Sequence, residues 1–137
     1  MAEETLLESP LPELTLDITQ ERLNAYCAAS GDHNPLHWDA RFAATTQFGG
    51  IIAHGMLTLA LVSRMMAAAY GQAWVETGSL RTRFKGAAYL GSRVASRGRV
   101  TREEDKDGHR LVTCAVAVTN AETGEELVTG TATVKLR

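Results

Sequence analysis

The chain has 137 residues, of which 45% are hydrophobic and 22% are charged, the balance of a globular protein with one core rather than of a disordered chain. The formal net charge is −2, from 14 Lys and Arg against 16 Asp and Glu, so the basic excess that nucleic-acid phosphates require is missing. The apolar runs are too short to span a bilayer, and the acidic start, residues 1–8, lacks the signal-peptide pattern, which predicts a cytoplasmic location.

The first elements are predicted to be a short strand and a helix. Residues 1–13 are expected to form an extended lead-in, and residues 14–18 alternate in polarity as a strand does. A helix then follows, which Asp17 or Thr19 can cap and which Gly31 ends. One face of this helix carries Leu23, Tyr26, Cys27 and Ser30.

A loop over residues 31–38 leads to a short helix that Asp39 caps and that ends near Thr46. After the break at Gly49–Gly50, residues 56–70 are good helix formers and are apolar nearly all round. Such a helix is expected to be buried on all sides, with the core wrapped around it.

Four segments of alternating polarity follow the long helix, and turn residues separate them. They are residues 79–89, 93–102, 110–119 and 126–136. Helices followed by antiparallel strands predict an α+β fold, with one curved antiparallel sheet around one central helix.

The two cysteines, Cys27 and Cys114, stand far apart and form no C-x-x-C pair. Their spacing predicts neither a disulfide framework nor a thiolate zinc site, and it fits a reducing compartment. Each cysteine is expected to be a small buried hydrophobic residue.

The segment from Gly31 to His37 reads Gly-Asp-His-Asn-Pro-Leu-His and carries the clearest chemical signal. Asn34 precedes a proline and is therefore directed away from helical backbone angles. Asp32 and His37 consequently lie on a constrained turn, where a carboxylate beside an imidazole can act as a base and acid pair.

Two other interpretations of this turn stay open. In the first, Asp32 and Asn34 only cap local backbone groups in an Asx turn, with His37 packed below. In the second, His33 and His37 bind a metal ion, because residues four apart share one face of a helix. The Asn34-Pro35 pair argues against a helix and hence against the metal site.

A second candidate segment, residues 51–57, lies at the start of the long helix and contains Gly55. The N–H groups of a helix N-terminus are unpaired, and a residue without a side chain lets a ligand oxygen approach its N–H. Gly55 can therefore serve as an oxyanion donor. Alternatively, Gly55 only allows a tight turn and His54 is a core residue with its hydrogen bonds satisfied.

The two segments belong to one longer pattern. It reads Tyr26-x-x-x-Ser30-Gly31-Asp32-x-Asn34-Pro35-Leu36-His37, with Ala43 six positions on, and continues through residues 42–46 and 53–57. This pattern resembles the signature of the R-specific enoyl-CoA hydratases, which are MaoC-like dehydratases of hotdog fold. A looser likeness reaches residues 130–136, so the resemblance implies one hotdog domain over residues 1–137. It also implies a homodimer or a larger assembly of dimers.

Members of that family add water reversibly across a trans-2-enoyl thioester and form the (R)-3-hydroxyacyl thioester. By resemblance, Asp32 is the base for that water, and His37 shares the water and returns a proton to the α-carbon. The N–H of Gly55 donates to the thioester carbonyl, and Ser63 and Asn34 are further substrate-binding residues. The substrate is carried by coenzyme A or a carrier protein. No metal, organic cofactor, nucleic acid or membrane is expected to take part.

The chain departs from the family pattern after the central helix. Where members often carry Phe-x-x-Pro-Val-x-x-Gly-Asp, residues 84–92 have Ala87 in place of the proline and Ser92 in place of the aspartate. The catalytic pair is untouched by this difference. A different interpretation also stays open for Ser63, whose hydroxyl can bond back to the carbonyl of Leu59.

Arg81, Arg83 and Lys85 alternate along one predicted strand. They could meet the phosphates of coenzyme A or an acidic carrier protein, or they could form an ordinary solvated strand face. Two other functions are compatible with the fold: a thioesterase, and a non-catalytic acyl-binding subunit of a heteromeric dehydratase.

Overall fold

Five strands form one antiparallel sheet in a computed structural model of the chain, which describes residues 10–137. The strands are β1 (Thr15–Asp17), β2 (Ser79–Phe84), β3 (Arg93–Lys106), β4 (His109–Asn120) and β5 (Glu126–Leu136). They lie in the order β1–β3–β4–β5–β2. The helices are α1 (Gln20–Ser30), α2 (Ala40–Ala44), α3 (Gly55–Tyr70) and α4 (Gln72–Thr77). Because α3 contacts β3, β4 and β5, the predicted α+β arrangement of sheet and central helix is confirmed.

Part of the expected lead-in falls outside the described residues, which begin at Pro10. Pro10 forms an isolated bridge with Arg99, and the N–H of Leu11 donates to the carbonyl of Gly98 at 2.8 Å. The described end of the lead-in is therefore extended alongside β3.

The predicted N-terminal caps of α1 and α2 and the predicted end of α1 are confirmed. The hydroxyl of Thr19 accepts a hydrogen bond from the N–H of Arg22, and α1 ends at Gly31, whose φ of 78° lies in the left-handed region. Asp39 caps α2 by accepting from two backbone N–H groups, although this helix ends at Ala44 rather than near Thr46.

The central helix is buried on one side only, so the expectation of burial on all sides is wrong for a single chain. Its buried residues are Thr58, Leu61, Val62, Met65 and Met66. On the other side Met56 is 58% exposed, and Arg64, Ala68 and Ala69 are exposed as well. The reason is geometric, since one sheet covers one side of a helix about 10 Å wide.

Strand β2 is shorter than predicted, because the chain leaves the sheet after Phe84 rather than at Tyr89. The N–H groups of Lys85 and Gly86 both donate to the carbonyl of Leu127 at 2.8 and 3.2 Å. One carbonyl thus receives two donors, and regular pairing with β5 stops there. The following residues run to Tyr89, which bridges to Ile52 beside the start of α3.

Strand β3 is longer than predicted, and one helix was missed. β3 continues past Arg102 to Lys106, with a register shift between Val100 and Arg102. The missed helix is α4, which follows Gly71 and buries Trp74. Among the described residues, no helix is long and apolar enough to span a membrane.

The core lies between α3 and the facing side of the sheet. The alternating polarity predicted for residues 110–119 matches β4, where every second residue is buried: Val112, Cys114, Val116 and Val118. Cys27 is also buried, and both cysteines are free thiols. The interpretation of the cysteines as small buried hydrophobic residues is therefore confirmed.

Leu61→Ala is expected to lower the free energy of unfolding by about 2–5 kcal/mol, because truncation leaves a cavity in a close-packed core. Leu61 is 1% exposed and faces the sheet from the middle of α3. Urea denaturation measures the loss. Val75→Ala in α4 is the control, since Val75 is 71% exposed and surface truncations change stability by about 0.5 kcal/mol or less. Equal losses in the two variants would contradict this account of the core.

Candidate active site

The turn after α1 is built by short side chains that bond to nearby backbone. A carboxylate oxygen of Asp32 accepts from the N–H of Asn34 at 3.2 Å, and the amide oxygen of Asn34 accepts from the N–H of Leu36 at 2.9 Å. Residues Pro35–His37 then form one turn of 3₁₀ helix. The Asx turn of the first alternative is therefore present, but it uses only part of Asp32. The carboxylate stays exposed at the start of the turn.

His37 is buried at the other end of this turn, with 7% of its surface exposed. Its Nδ1 lies 2.7 Å from the carbonyl oxygen of Ile52. A carbonyl only accepts, so Nδ1 carries a proton and donates it. The other ring nitrogen, Nε2, is left to exchange protons.

A second histidine, His54, lies against the first. The rings of His37 and His54 are stacked, with centroids 3.7 Å apart and planes inclined by 22°. His54 also contacts the ring of Tyr26, at a centroid distance of 4.6 Å and with planes inclined by 57°. Only 2% of His54 is exposed. The expectation of a plain core residue missed this stack, which needs the 51–57 segment to fold over the 32–37 turn.

The ring nitrogens of His54 have different surroundings. Nε2 lies 3.3 Å from the main-chain carbonyl oxygen of Asp32 and 3.5 Å from Sγ of Cys27. Nδ1 is buried and has no hydrogen-bond partner among the described residues. The neutral form with a proton on Nε2 fits this arrangement, since a proton on Nδ1 would face no acceptor, at a cost of about 1–3 kcal/mol.

Burial lowers the pKa of His54 below the ordinary value of 6.5, and the charge that His37 can carry lowers it further. The carbonyl and carboxylate of Asp32 oppose this effect but do not cancel it. His54 is therefore held in its uncharged form at neutral pH.

The lowered pKa of His54 predicts a pH dependence of stability. Below its ordinary value of 6.5, the unfolded chain binds a proton there that the folded chain does not. Stability is therefore complete above that pH and decreases as the pH falls toward the lower folded pKa. Urea denaturation between about pH 7.5 and about pH 5 measures the decrease. His54→Phe, which cannot titrate, should show a smaller loss of stability over this pH range. An unchanged pH dependence would show that His54 is not the group responsible.

The same three residues do not suit a metal ion. One ligand atom each from Asp32, His37 and His54 lies within 4.8 Å of the others. Zinc, however, needs its N and O ligand atoms to point at one metal position, each about 2.0–2.2 Å from the ion. Stacked rings direct their in-plane lone pairs side by side rather than to one point, and Nδ1 of His37 is already bonded to Ile52. The helix that the second alternative needs for His33 and His37 is absent there, because Asn34 and Pro35 open a 3₁₀ turn.

Gly55 is the first residue of α3 and lines a cavity of about 350 Å³. Other lining residues are Phe48, Ile52, Thr58, Phe84 and Ala88. A Cβ added at Gly55 would lie 3.2 Å from a ring carbon of Phe84. The first N–H of a helix has no partner within that helix, so a substrate oxygen in this cavity can receive it.

The remaining predicted site residues are placed differently. Asn34 lies within the Asp32–His37 turn, whereas Ser63 is eight residues beyond Gly55 on α3, about 12 Å along the helix axis. The hydroxyl oxygen of Ser63 accepts from the indole N–H of Trp74 at 2.9 Å. This contact was not predicted, because Trp74 lies on α4, a helix that the sequence pattern did not indicate.

The alternating basic residues Arg81, Arg83 and Lys85, here called the basic stripe, lie on β2 and just beyond its end, in an exposed part of the sheet. Arg81 and Arg83 are exposed, and Lys85 forms an ion pair with Glu126 at 3.2 Å. Exposure is compatible with either interpretation of the stripe, so both stay open.

Comparison with known proteins gives consistent matches. Residues 2–123 match the family model described as "MaoC like domain". The (R)-specific enoyl-CoA hydratase of Aeromonas caviae is 38% identical over 117 residues, covering 82% of this chain and 81% of that protein. The 3-hydroxyacyl-thioester dehydratase Z of Mycobacterium tuberculosis is 37% identical over 106 residues, covering 74% of this chain and 70% of that protein.

Solved structures agree with the sequence matches. The unliganded R-hydratase PhaJ1 from Pseudomonas aeruginosa superposes with a TM-score of 0.81 at 33% identity, covering 95% of this chain and 81% of that one. The (R)-hydratase from Aeromonas caviae also gives 0.81, at 29% identity and 96% coverage of both chains. The sheet wrapped on α3 is thus a hotdog fold, and the chain belongs to the MaoC-like dehydratase family of enzymes.

Proposed function

We propose that the chain hydrates trans-2-enoyl thioesters reversibly to (R)-3-hydroxyacyl thioesters. The observation that carries the proposal is the juxtaposition of the Asp32 carboxylate with the buried His37, since a carboxylate oxygen and a ring nitrogen lie within 4.8 Å of each other. One water molecule can bridge two groups at that separation. The named activities of the relatives support the same reaction.

In the proposed reaction Asp32 takes a proton from the water as the water oxygen bonds to C3 of the substrate. In this step His37 starts protonated on both ring nitrogens. Its Nε2 gives a proton to C2 and becomes a lone-pair nitrogen, while Nδ1–H stays bonded to the carbonyl of Ile52. Transfer of the proton from Asp32 to His37 then restores both groups. The N–H of Gly55 donates to the thioester oxygen, where negative charge develops.

Ser63 and Asn34 stay predicted substrate-binding residues. Ser63 accepts from Trp74, and its own O–H remains able to donate, because a hydroxyl both donates and accepts. The acyl thioester of coenzyme A and that of a carrier protein offer the same reacting group. Both are therefore substrates to be compared.

We also propose that two copies form a homodimer through β2. This strand lies at one end of the sheet order, so one of its edges has no neighbouring strand among the described residues. Phe84 at its end is 51% exposed beside Gly55. An open edge with an exposed aromatic residue is a surface that a second chain can cover. Sedimentation of the purified chain measures its mass in solution, which we expect to be that of two copies.

The assay that tests the function follows loss of enoyl-thioester absorbance when the purified chain is mixed with crotonyl-CoA. We expect turnover without release of free thiol, and an enoyl carrier protein tested beside it compares the two carriers. Release of free thiol at the rate of substrate loss would indicate a thioesterase instead. A folded dimer without turnover on either carrier would contradict the proposed hydration.

A further inference from the structure

His54 contacts both members of the Asp32–His37 pair from underneath. Its Nε2 reaches the main-chain carbonyl of Asp32 at 3.3 Å, and its ring lies on His37 at 3.7 Å between centroids. It also directly precedes Gly55 and occupies the N-cap position of α3, without a side-chain capping bond. The side chain of His54 thus contacts the main chain of Asp32 and the imidazole of His37, and its backbone leads directly into the oxyanion donor Gly55 of the proposed site.

We propose that His54 is a positioning residue, whose neutral ring fixes the Asp32 turn and the His37 imidazole relative to each other. The proposal rests on the proposed function. It assigns His54 no contact with the substrate and no proton transfer. Its two actions are a hydrogen bond donated from Nε2 to the carbonyl of Asp32 and a flat contact with the ring of His37.

The surroundings of His54 show why its ring is held still. The ring also contacts the ring of Tyr26 on α1 at a centroid distance of 4.6 Å, and Sγ of Cys27 lies 3.5 Å from Nε2. With 2% of its surface exposed, the ring is closely packed, and close packing opposes its reorientation. Asp32, in contrast, is exposed. Its N–H donates to the hydroxyl of Ser30 at the end of α1, and its carbonyl contact with His54 links it to a buried residue.

Two substitutions separate the two actions. His54→Phe keeps a flat ring against His37 and loses the donor to Asp32, whereas His54→Gln keeps an N–H donor at the position of Nε2 and loses the ring. Misplacing reacting groups by about 1 Å can cost on the order of 10²-fold in rate. We therefore expect each variant to lower kcat for crotonyl-CoA at least about tenfold and to leave KM within about twofold, since substrate contacts remain.

Val112→Ala is the matched control for stability. Val112 is 2% exposed and lies on β4 beside Cys114, which contacts Tyr70 at the far end of α3. That end is about 22 Å from Gly55 along the helix axis. We expect this variant to lose stability and to keep its kcat. The comparison is made between variants whose melting temperatures are lowered equally. If the His54 variants then lose no more kcat than Val112→Ala does, the proposal is wrong.

A second readout does not depend on turnover. Relaxation of the ¹³Cε1–¹Hε1 group reports the mobility of the His37 ring, and we expect it to rise in His54→Gln and to stay low in the wild type and in His54→Phe. Equal mobility in all three proteins would overturn the positioning role even if the wild type proved inactive on crotonyl-CoA. Wild-type inactivity with the expected mobility change would instead contradict only the proposed function.

Discussion

Replacing Asp32 by Asn is expected to lower kcat for enoyl-CoA hydration by about 10²–10⁴-fold, the usual contribution of a general base. The amide keeps the shape of the side chain and can still accept from the N–H of Asn34, so the turn should survive. What is lost is the group that takes the proton from water. Steady-state kinetics with crotonyl-CoA measures the effect.

Asp107→Asn is the matched control for that substitution. Asp107 lies in the turn between β3 and β4 at a φ of 53°, and Asn tolerates this left-handed conformation well. Its activity should equal that of the wild type. The kcat of His37→Ala should be lowered as much as that of Asp32→Asn. The double variant should be only slightly slower, because the effects of residues that act as a unit are not additive. An Asp32→Asn variant that keeps a tenth or more of the wild-type kcat would exclude Asp32 as the base.

The second large effect is expected at Gly55, where one substitution removes the N–H and another keeps it. Gly55→Pro deletes the donor, and proline is well accommodated at the first position of a helix. The preceding residue, His54, has ψ of 135°, which suits a residue before proline. We expect kcat to fall by about 10²–10³-fold, as when an oxyanion donor is removed elsewhere.

Gly55→Ala is the control, because it brings the same Cβ against the ring of Phe84, at 3.2 Å, while the N–H stays. The ratio of kcat between the two variants separates the effect of losing the N–H from the effect of crowding against Phe84. Measuring kcat and KM for both on crotonyl-CoA gives that ratio. Equal activities of Gly55→Pro and Gly55→Ala would show that the N–H of Gly55 does not stabilise the transition state.

Local chemistry explains why the turn and the helix ends were predictable. Asn34 and Pro35 restrict the backbone whatever surrounds them, and Thr19 and Asp39 cap helices through contacts two or three residues away. The inward face of β4 was predictable for a similar reason, since alternation along a strand assigns its two sides. These features need no knowledge of distant residues.

The contacts that join distant segments were not predictable in this way. The stack of His54 on His37 depends on two loops meeting, and the bond from Trp74 to Ser63 depends on α4 folding back on α3. The exposed side of α3 was missed because composition shows that a helix is apolar and not how many of its sides a single chain covers. The family pattern brought Asp32, His37 and Gly55 together without describing the buried ring beneath them.

The central claim is stereospecific addition of water at the Asp32–His37 pair, and the configuration of the product tests it most directly. Crotonyl-CoA is incubated with the purified wild-type chain, and the 3-hydroxybutyryl thioester is hydrolysed and resolved by chiral chromatography. A carboxylate, an imidazole and an N–H donor in fixed positions deliver water to one face of the double bond, so we expect a single enantiomer. The named (R)-specific activity of the relatives indicates the (R) product. A racemic or (S) product, or free thiol without hydroxy acid, would contradict the account.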